Sequence, residues 1–202
     1  DIFMVSAIPC TAKKFECGRP EQSAAGVPDV DVAVTTRELG RMIQRAGINF
    51  KNLPDGTFDD PFAIGSSAGA IFGATGGVME AALRYAAEVI TGNKLEKLEF
   101  NEVRGVEGIK TASYKVGDLT VNVAVASGTG NAKKLLNMVK NGELDVQFIE
   151  IMACPGGCVM GGGQPVYGTK AQRVETRTKG LYAADGDMVI KKSNENPLMD
   201  VF

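Results

Sequence analysis

Residues 146–165 read Val-Gln-Phe-Ile-Glu-Ile-Met-Ala-Cys-Pro-Gly-Gly-Cys-Val-Met-Gly-Gly-Gly-Gln-Pro, and the architecture is best approached from this segment. Val146 to Ile151 is rich in apolar and β-branched side chains, the composition of a buried strand. The strand runs directly into Cys154 and Cys158, two thiols among five glycines in a chain without histidine. Glycines weaken any regular element and serve no packing purpose, but they let a backbone close around an inorganic body. Thiolates in such a loop are the pattern of an iron-sulfur site.

Upstream, Ile2 to Ile8 is a nearly continuous apolar run, as expected of a strand covered on both faces, and Cys10 follows its carboxyl end. Val30 to Val34 repeats the signal. Thr35-Thr36 with Glu38 then marks a helix start that runs to Gly47. A longer helix is expected over Gly77 to Thr91, with Val78, Met79, Ala82, Tyr85, Ala86 and Val89 at helical spacing and Gly92-Asn93 as its stop. Residues 108–116 and 119–126 read as strands joined by a hairpin at Gly117-Asp118. Ser127-Gly128-Thr129-Gly130 leads into a helix from Asn131 to Lys140. Alternating strands and helices predict an α/β fold, a mostly parallel sheet flanked by helices with one hairpin. Sites in such sheets collect at the carboxyl ends of strands, so parallel alignment is expected to bring Cys10 and Cys154 to one edge.

Composition restricts the function classes. The 202 residues are 44% hydrophobic and 23% charged, as in a globular protein. A net charge of −2 without long basic runs argues against nucleic acid as a partner. No apolar stretch approaches the roughly 20 residues of a membrane span, and Asp1 opens no leader-like segment. Four cysteines are too sparse for a disulfide scaffold, which predicts a reducing, cytoplasmic setting.

The stretches PCTAKKFE at 9–16 and EIMACPGGCVMGGGQP at 150–165 resemble the second and third signature motifs of the iron-iron (FeFe) hydrogenases. SSAGAIFGATGGVMEAALR at 66–84 and VAVASGTGNAKKLL at 123–136 are similar to the same domain. The resemblance implies the catalytic domain that holds the H-cluster, with reversible reduction of protons to dihydrogen. It implies that Cys10 and Cys154 ligate a 4Fe-4S cubane and that Cys158 bridges it to a diiron subsite bearing carbon monoxide, cyanide and a dithiolate. It further implies that Lys13 donates to a cyanide nitrogen, that Met152 packs beside the diiron subsite, and that Phe72 and Gly73 line the same pocket. Ferredoxin or a nicotinamide-linked protein is implied as electron partner, and maturation proteins as suppliers of the cofactor. Ile8 departs from the methionine usual in the family. The first signature motif, which carries the remaining cubane cysteine and a proton-relay cysteine, precedes the second in the family and is not within these residues. Since the sequence starts on a strand and stops at Val201-Phe202, residues 1–202 are read as part of the H-cluster domain, truncated at both ends.

The residues bear a reading of their own beside the resemblance. A cubane takes four thiolates, of which Cys10, Cys154 and Cys158 supply three. Cys17 is the internal candidate for the fourth, against the alternative of a small packed thiol. Lys13 is a solvated loop cation or a donor to an anionic ligand. Glu16 relays protons or pairs with Lys13 or Arg19. Met152 is core filler on pattern alone. Gly65-Ser66-Ser67-Ala68-Gly69 matches a nucleophile elbow, but that serine requires a histidine base and the chain has none. Gly128-Thr129-Gly130 lacks the third glycine of a dinucleotide fingerprint. Zinc on the three thiols ranks below a cluster. The alternative to a hydrogenase is a non-catalytic iron-sulfur relative, either a sensory homologue or a Narf-like cluster-assembly protein.

Overall fold

In the computed structural model, which describes residues 2–59, 64–94, 100–105 and 108–200, the chain divides into two compact units. One comprises residues 1–57 with 160–173, the other residues 58–159 with 174–202. Val201 and Phe202 lie outside the described residues.

In the first unit, β1 (Val5–Ile8) is followed by the short helix α1 (Lys13–Glu16), β2 (Val32–Thr35) and α2 (Thr36–Arg45). β1 and β2 pair in parallel from Val5↔Val32 to Ile8↔Thr35. Ala33 and Thr35 turn into the core. β1 is shorter than the apolar run predicts, and Val5 is exposed like Ile2 and Phe3, so the strand is not covered on both faces. α2 starts where the sequence places it, because Thr35 and Glu38 cap it reciprocally. The Thr35 hydroxyl accepts from the Glu38 amide at 3.2 Å, and the Glu38 carboxylate accepts from the Thr35 amide at 2.8 Å. Gly47, just past the helix, takes a left-handed φ of 69°.

The second unit holds α3 (Ser67–Ile71), α4 (Gly77–Thr91), β3 (Ile109–Val116), β4 (Leu119–Ser127), α5 (Thr129–Lys140), β5 (Phe148–Met152) and, from residue 174, α6 (Lys170–Asp187). The strands are ordered β3-β4-β5. β3 and β4 form the expected antiparallel hairpin, and β4 pairs with β5 in parallel up to Ser127↔Met152. β4 is buried on both faces, which its near-continuous apolar sequence requires. Val123 and Val125 pack with Met79 and Leu83 of α4, while Ala124 and Ala126 pack with Ala132 and Leu135 of α5.

Parallel pairing, one hairpin and flanking helices agree with the sequence reading. Among the described residues the strands nevertheless form two sheets. β1 and β5 do not share a sheet, so sheet pairing does not set Cys10 and Cys154 at a common edge. Within α4 the apolar spacing also misplaces the inner face. The buried side chains are Met79, Glu80, Leu83, Arg84 and Ala87, whereas Tyr85 and Val89 are 49% and 62% exposed. Two ionised side chains displace apolar ones because they neutralise each other. Arg84 donates to Glu80 at 2.8 Å and to both oxygens of Asp185 on α6 at 2.6 and 2.8 Å. Arg104 adds two 2.7 Å bonds to Glu80 and stacks 3.9 Å above the Tyr182 ring. A buried charge is tolerable only when paired in this way.

Candidate functional site

In the first unit, half-buried Cys10 stands beyond the end of β1, and α1 begins three residues later. Lys13 is therefore the first residue of a helical turn and not a loop cation. Its ammonium lies 2.6 Å from Glu16 across an i,i+3 spacing, and Arg19 pairs with Glu21, which resolves the partner of Glu16 as Lys13. Lys14 reaches Glu38 at 2.8 Å. That hydrogen bond, with those from Thr35, lowers the Glu38 carboxyl from 4.5 to about 2. Cys17 donates to the Lys14 carbonyl at 3.3 Å and, with Ser6, Lys13, Glu16 and Gln22, lines a cavity of about 50 Å³.

The glycine run that follows the thiol loop closes onto this motif. The Gly163 amide donates to the Pro9 carbonyl at 2.9 Å, immediately before Cys10, and the Gly163 carbonyl accepts from the Arg37 amide at 3.1 Å. The Arg37 guanidinium donates to Gly162 at 2.8 Å. A Cβ on Gly163 would stand 2.6 Å from that of Thr35, and one on Gly162 would stand 2.8 Å from the Thr11 hydroxyl oxygen. Gly162 and Gly163 thus permit a close approach of chain segments.

In the second unit, β5 delivers Met152, Cys154 and Cys158. The Met152 carbonyl accepts from the Gly128 amide at 2.7 Å, and the Ser127 hydroxyl accepts from the Gly156 amide at 3.1 Å. Gly156 and Gly157 have φ of 101° and 87°, a conformation that excludes other residues without strain. A Cβ on Gly157 would stand 2.7 Å from the Gly73 carbonyl oxygen and 2.8 Å from the Thr75 nitrogen. The Val159 amide donates to Gly73 at 2.9 Å, so the Phe72-Gly73 turn lies against the thiol loop. A Cβ on Gly73 would come within 2.8 Å of Leu181 on α6, and Arg177 of α6 donates to the Val159 carbonyl at 2.7 Å. Phe72 and Cys158 are exposed, whereas Met152 and Cys154 are half-buried.

Glu150, two residues before Met152, fixes the loop's approach to α4. Its carboxylate oxygens accept from the Gly76 and Met79 amides at 2.7 Å each, in place of a cap from α4's own flank. Burial raises its pKa, and the bonds from Gly76, Met79 and Val78 pull against that rise. The sequence reading passed over Glu150. Its signal was a lone carboxylate in an otherwise apolar strand.

Met152, Cys154, Cys158, Phe72 and Gly73 are thus gathered in the second unit, and Cys10, Lys13, Glu16 and Cys17 in the first. Among the described residues no three Cys, His, Asp or Glu side chains converge as ligands of one ion. The donor set, thiolates in a loop opened by left-handed glycines without nearby imidazole, fits a sulfur-bridged iron cluster. No helix among the described residues is long and apolar enough to cross a membrane.

Residues 1–162 match the profile of the family described as iron only hydrogenase large subunit, C-terminal domain. The chain is 50% identical over 196 residues to the NADP-reducing hydrogenase subunit HndD of Solidesulfovibrio fructosivorans, covering 97% of this chain and 33% of that protein. It is 48% identical over 182 residues to the periplasmic Fe hydrogenase large subunit of Nitratidesulfovibrio vulgaris, covering 90% and 43%. Identity to the cytosolic iron-sulfur assembly component 3 of Pongo abelii is 30% over 169 residues, covering 81% and 35%. The chain therefore spans less than half the length of these curated relatives. A solved FeFe-hydrogenase HydA1 variant from Chlamydomonas reinhardtii superposes with a TM-score of 0.77 at 40% identity, covering 100% of this chain and 59% of that one.

Proposed function

Because this chain belongs to the iron-only hydrogenase large-subunit family, in its C-terminal domain, we propose that residues 1–202 are part of the H-cluster domain of an FeFe hydrogenase that reversibly reduces protons to dihydrogen. The observation that carries the reading is the thiol loop, with Cys154 and Cys158 on a backbone bent by Gly156 and Gly157 and seated against Phe72-Gly73. When bound, a 4Fe-4S cubane and a diiron subsite with carbon monoxide, cyanide and dithiolate ligands supply electron transfer and the centre of proton reduction.

The residues divide the work of holding and shaping. Cys10, Cys154 and Cys158 would be the thiolate ligands of the cluster, Cys158 also serving the diiron subsite. With the cluster in place, the Lys13 ammonium, paired in its absence with Glu16, would donate to a cyanide nitrogen, as a compact cation with three donors can. Glu16, so released, takes up and gives back a proton. Met152 and Phe72 exclude water from the pocket, and Gly73 has no side chain to intrude on it. Electrons come from ferredoxin or a nicotinamide-linked protein, the latter consistent with a relative named as an NADP-reducing hydrogenase subunit. Maturation proteins supply the diiron subsite. A cytoplasmic setting is our reading. The periplasmic relative is its counterexample, and fractionation decides between them.

The match to a cytosolic iron-sulfur assembly component favours a second reading, a cluster protein without hydrogen chemistry. Lys13, Met152 and Cys158 separate the two, since they serve the diiron subsite more than the cubane. Infrared spectra of the full-length protein, matured anaerobically, test the choice. Carbonyl and cyanide stretches together with hydrogen evolution are expected, and Cys17→Ser leaves both in place. Cluster-loaded protein lacking those stretches establishes the assembly reading instead.

A further inference from the structure

Thr75 is 3% exposed, and its hydroxyl oxygen has no hydrogen-bond partner among the described residues. Buried hydroxyls are very rarely left so. The usual task of a threonine just ahead of a helix is to cap it, but here that task is taken. Gly76 occupies the N-cap of α4 with φ of 90°, and Glu150 accepts from the Gly76 and Met79 amides. The nearby Ser127 hydroxyl oxygen is engaged by the Gly156 amide. Thr75 also lies against the centre of the thiol loop. Its amide donates to the Gly156 carbonyl at 3.4 Å, and its nitrogen is 2.8 Å from where a Gly157 Cβ would stand. Gly156 and Gly157 are the middle of the loop, with Cys154 two residues before Gly156 and Cys158 directly after Gly157.

We propose that the Thr75 hydroxyl donates a hydrogen bond to a sulfur of the cluster held at Cys154 and Cys158, and so sets its reduction potential. The inference rests on the reading that these cysteines hold a cluster. A hydroxyl has one proton to give, and a thiolate or sulfide sulfur is an acceptor that would satisfy it. Donation to sulfur favours the more negative, reduced cluster, so its loss lowers the potential.

The test uses the full-length protein produced without maturation proteins and reconstituted with iron and sulfide, so that no diiron signals overlap those of the cubane, which is followed through its Thr75-dependent change. Potentiometric titration followed by electron paramagnetic resonance is compared for wild type, Thr75→Val and Thr75→Ser. The expected result is a more negative midpoint in Thr75→Val and loss of one exchangeable deuteron coupling after transfer to heavy water, with Thr75→Ser retaining both wild-type features. If Thr75→Val takes up no iron, Thr75→Ala replaces it in the same comparison. Unchanged midpoint and unchanged deuteron couplings overturn the inference while leaving the cluster intact. A wild type that forms no cubane overturns the cluster reading itself, and this inference with it.

Discussion

Replacing Arg84 with methionine tests whether the buried ion network ties α6 to α4. Arg84 is 1% exposed, and although burial acts against the charge, the bonds its guanidinium donates to Asp185 and Glu80 outweigh it and hold the group charged more firmly than usual. In the variant, Glu80 keeps both bonds from Arg104, so the loss falls on Asp185, which is 7% exposed. Breaking a buried pair from one side costs about 3–5 kcal/mol, because the remaining charge is left in a poor solvent. With a urea dependence of about 2 kcal/mol per molar, the midpoint of the full-length protein's transition falls by roughly 2 M. Arg84→Met with Asp185→Leu removes both charges and recovers most of the loss. The pH dependence has a definite sign. Burial would raise Asp185, but the bonds from Arg84 and Ser67 hold it below its ordinary 3.8, so its contribution is complete above that value and disappears as pH falls through the depressed pKa. The gap between wild type and Arg84→Met therefore narrows in acid. A single variant within about 1 kcal/mol of wild type, or a double variant no better than the sum of the singles, would refute the reasoning.

Gly157→Ala introduces a Cβ 2.7 Å from the Gly73 carbonyl oxygen at a φ of 87°, and cluster uptake, read as iron per protein, is expected to collapse. Gly40→Ala, in α2 with nothing within 4 Å, stabilises by about 0.5–1 kcal/mol and leaves iron content at wild type, as thermal melts and iron assays report. Glu38, lowered from 4.5 to about 2, contributes stability that is complete above 4.5 and lost as pH falls through about 2. Acid melts of Glu38→Gln and wild type therefore converge near pH 2, and salt shrinks their difference at neutral pH because the carboxylate is open to solvent. Curves no closer at pH 2 than at pH 5 contradict this origin of the cap's stability.

Local grammar made much of the fold legible. Thr35 with Glu38 forms the cap it spells, Gly92 ends α4, and Gly117-Asp118 turns the hairpin. The elements that were missed draw their stability from partners far along the chain. α6 contains Gly180 and Gly186 and shows little apolar rhythm, yet Asp185 and Tyr182 anchor it to Arg84, Glu80 and Arg104. The inner face of α4 was misread because hydropathy counts Glu80 and Arg84 as outward, although their i,i+4 spacing on one helix is what allows them to pair inside. Cys154, Cys158 and the glycines between them were legible as a site. Their contact with Phe72-Gly73, the docking of Glu150 on α4 and the orphaned Thr75 hydroxyl were not, since none arises from neighbours in sequence.

The bonds that Gly162 and Gly163 make to Arg37 and Pro9 have a bearing on how the protein is made. Arg37 and Gly162 are 125 residues apart, so the segment carrying Cys10 leaves the ribosome roughly 6–25 s before the strand of glycines that braces it. During that interval β1 and β2 are a two-stranded parallel ribbon with Ile2, Phe3 and Val5 in solvent, a form that is seldom stable alone. Cys10 therefore becomes fixed late in synthesis, at about the moment the chain has also delivered Cys154 and Cys158.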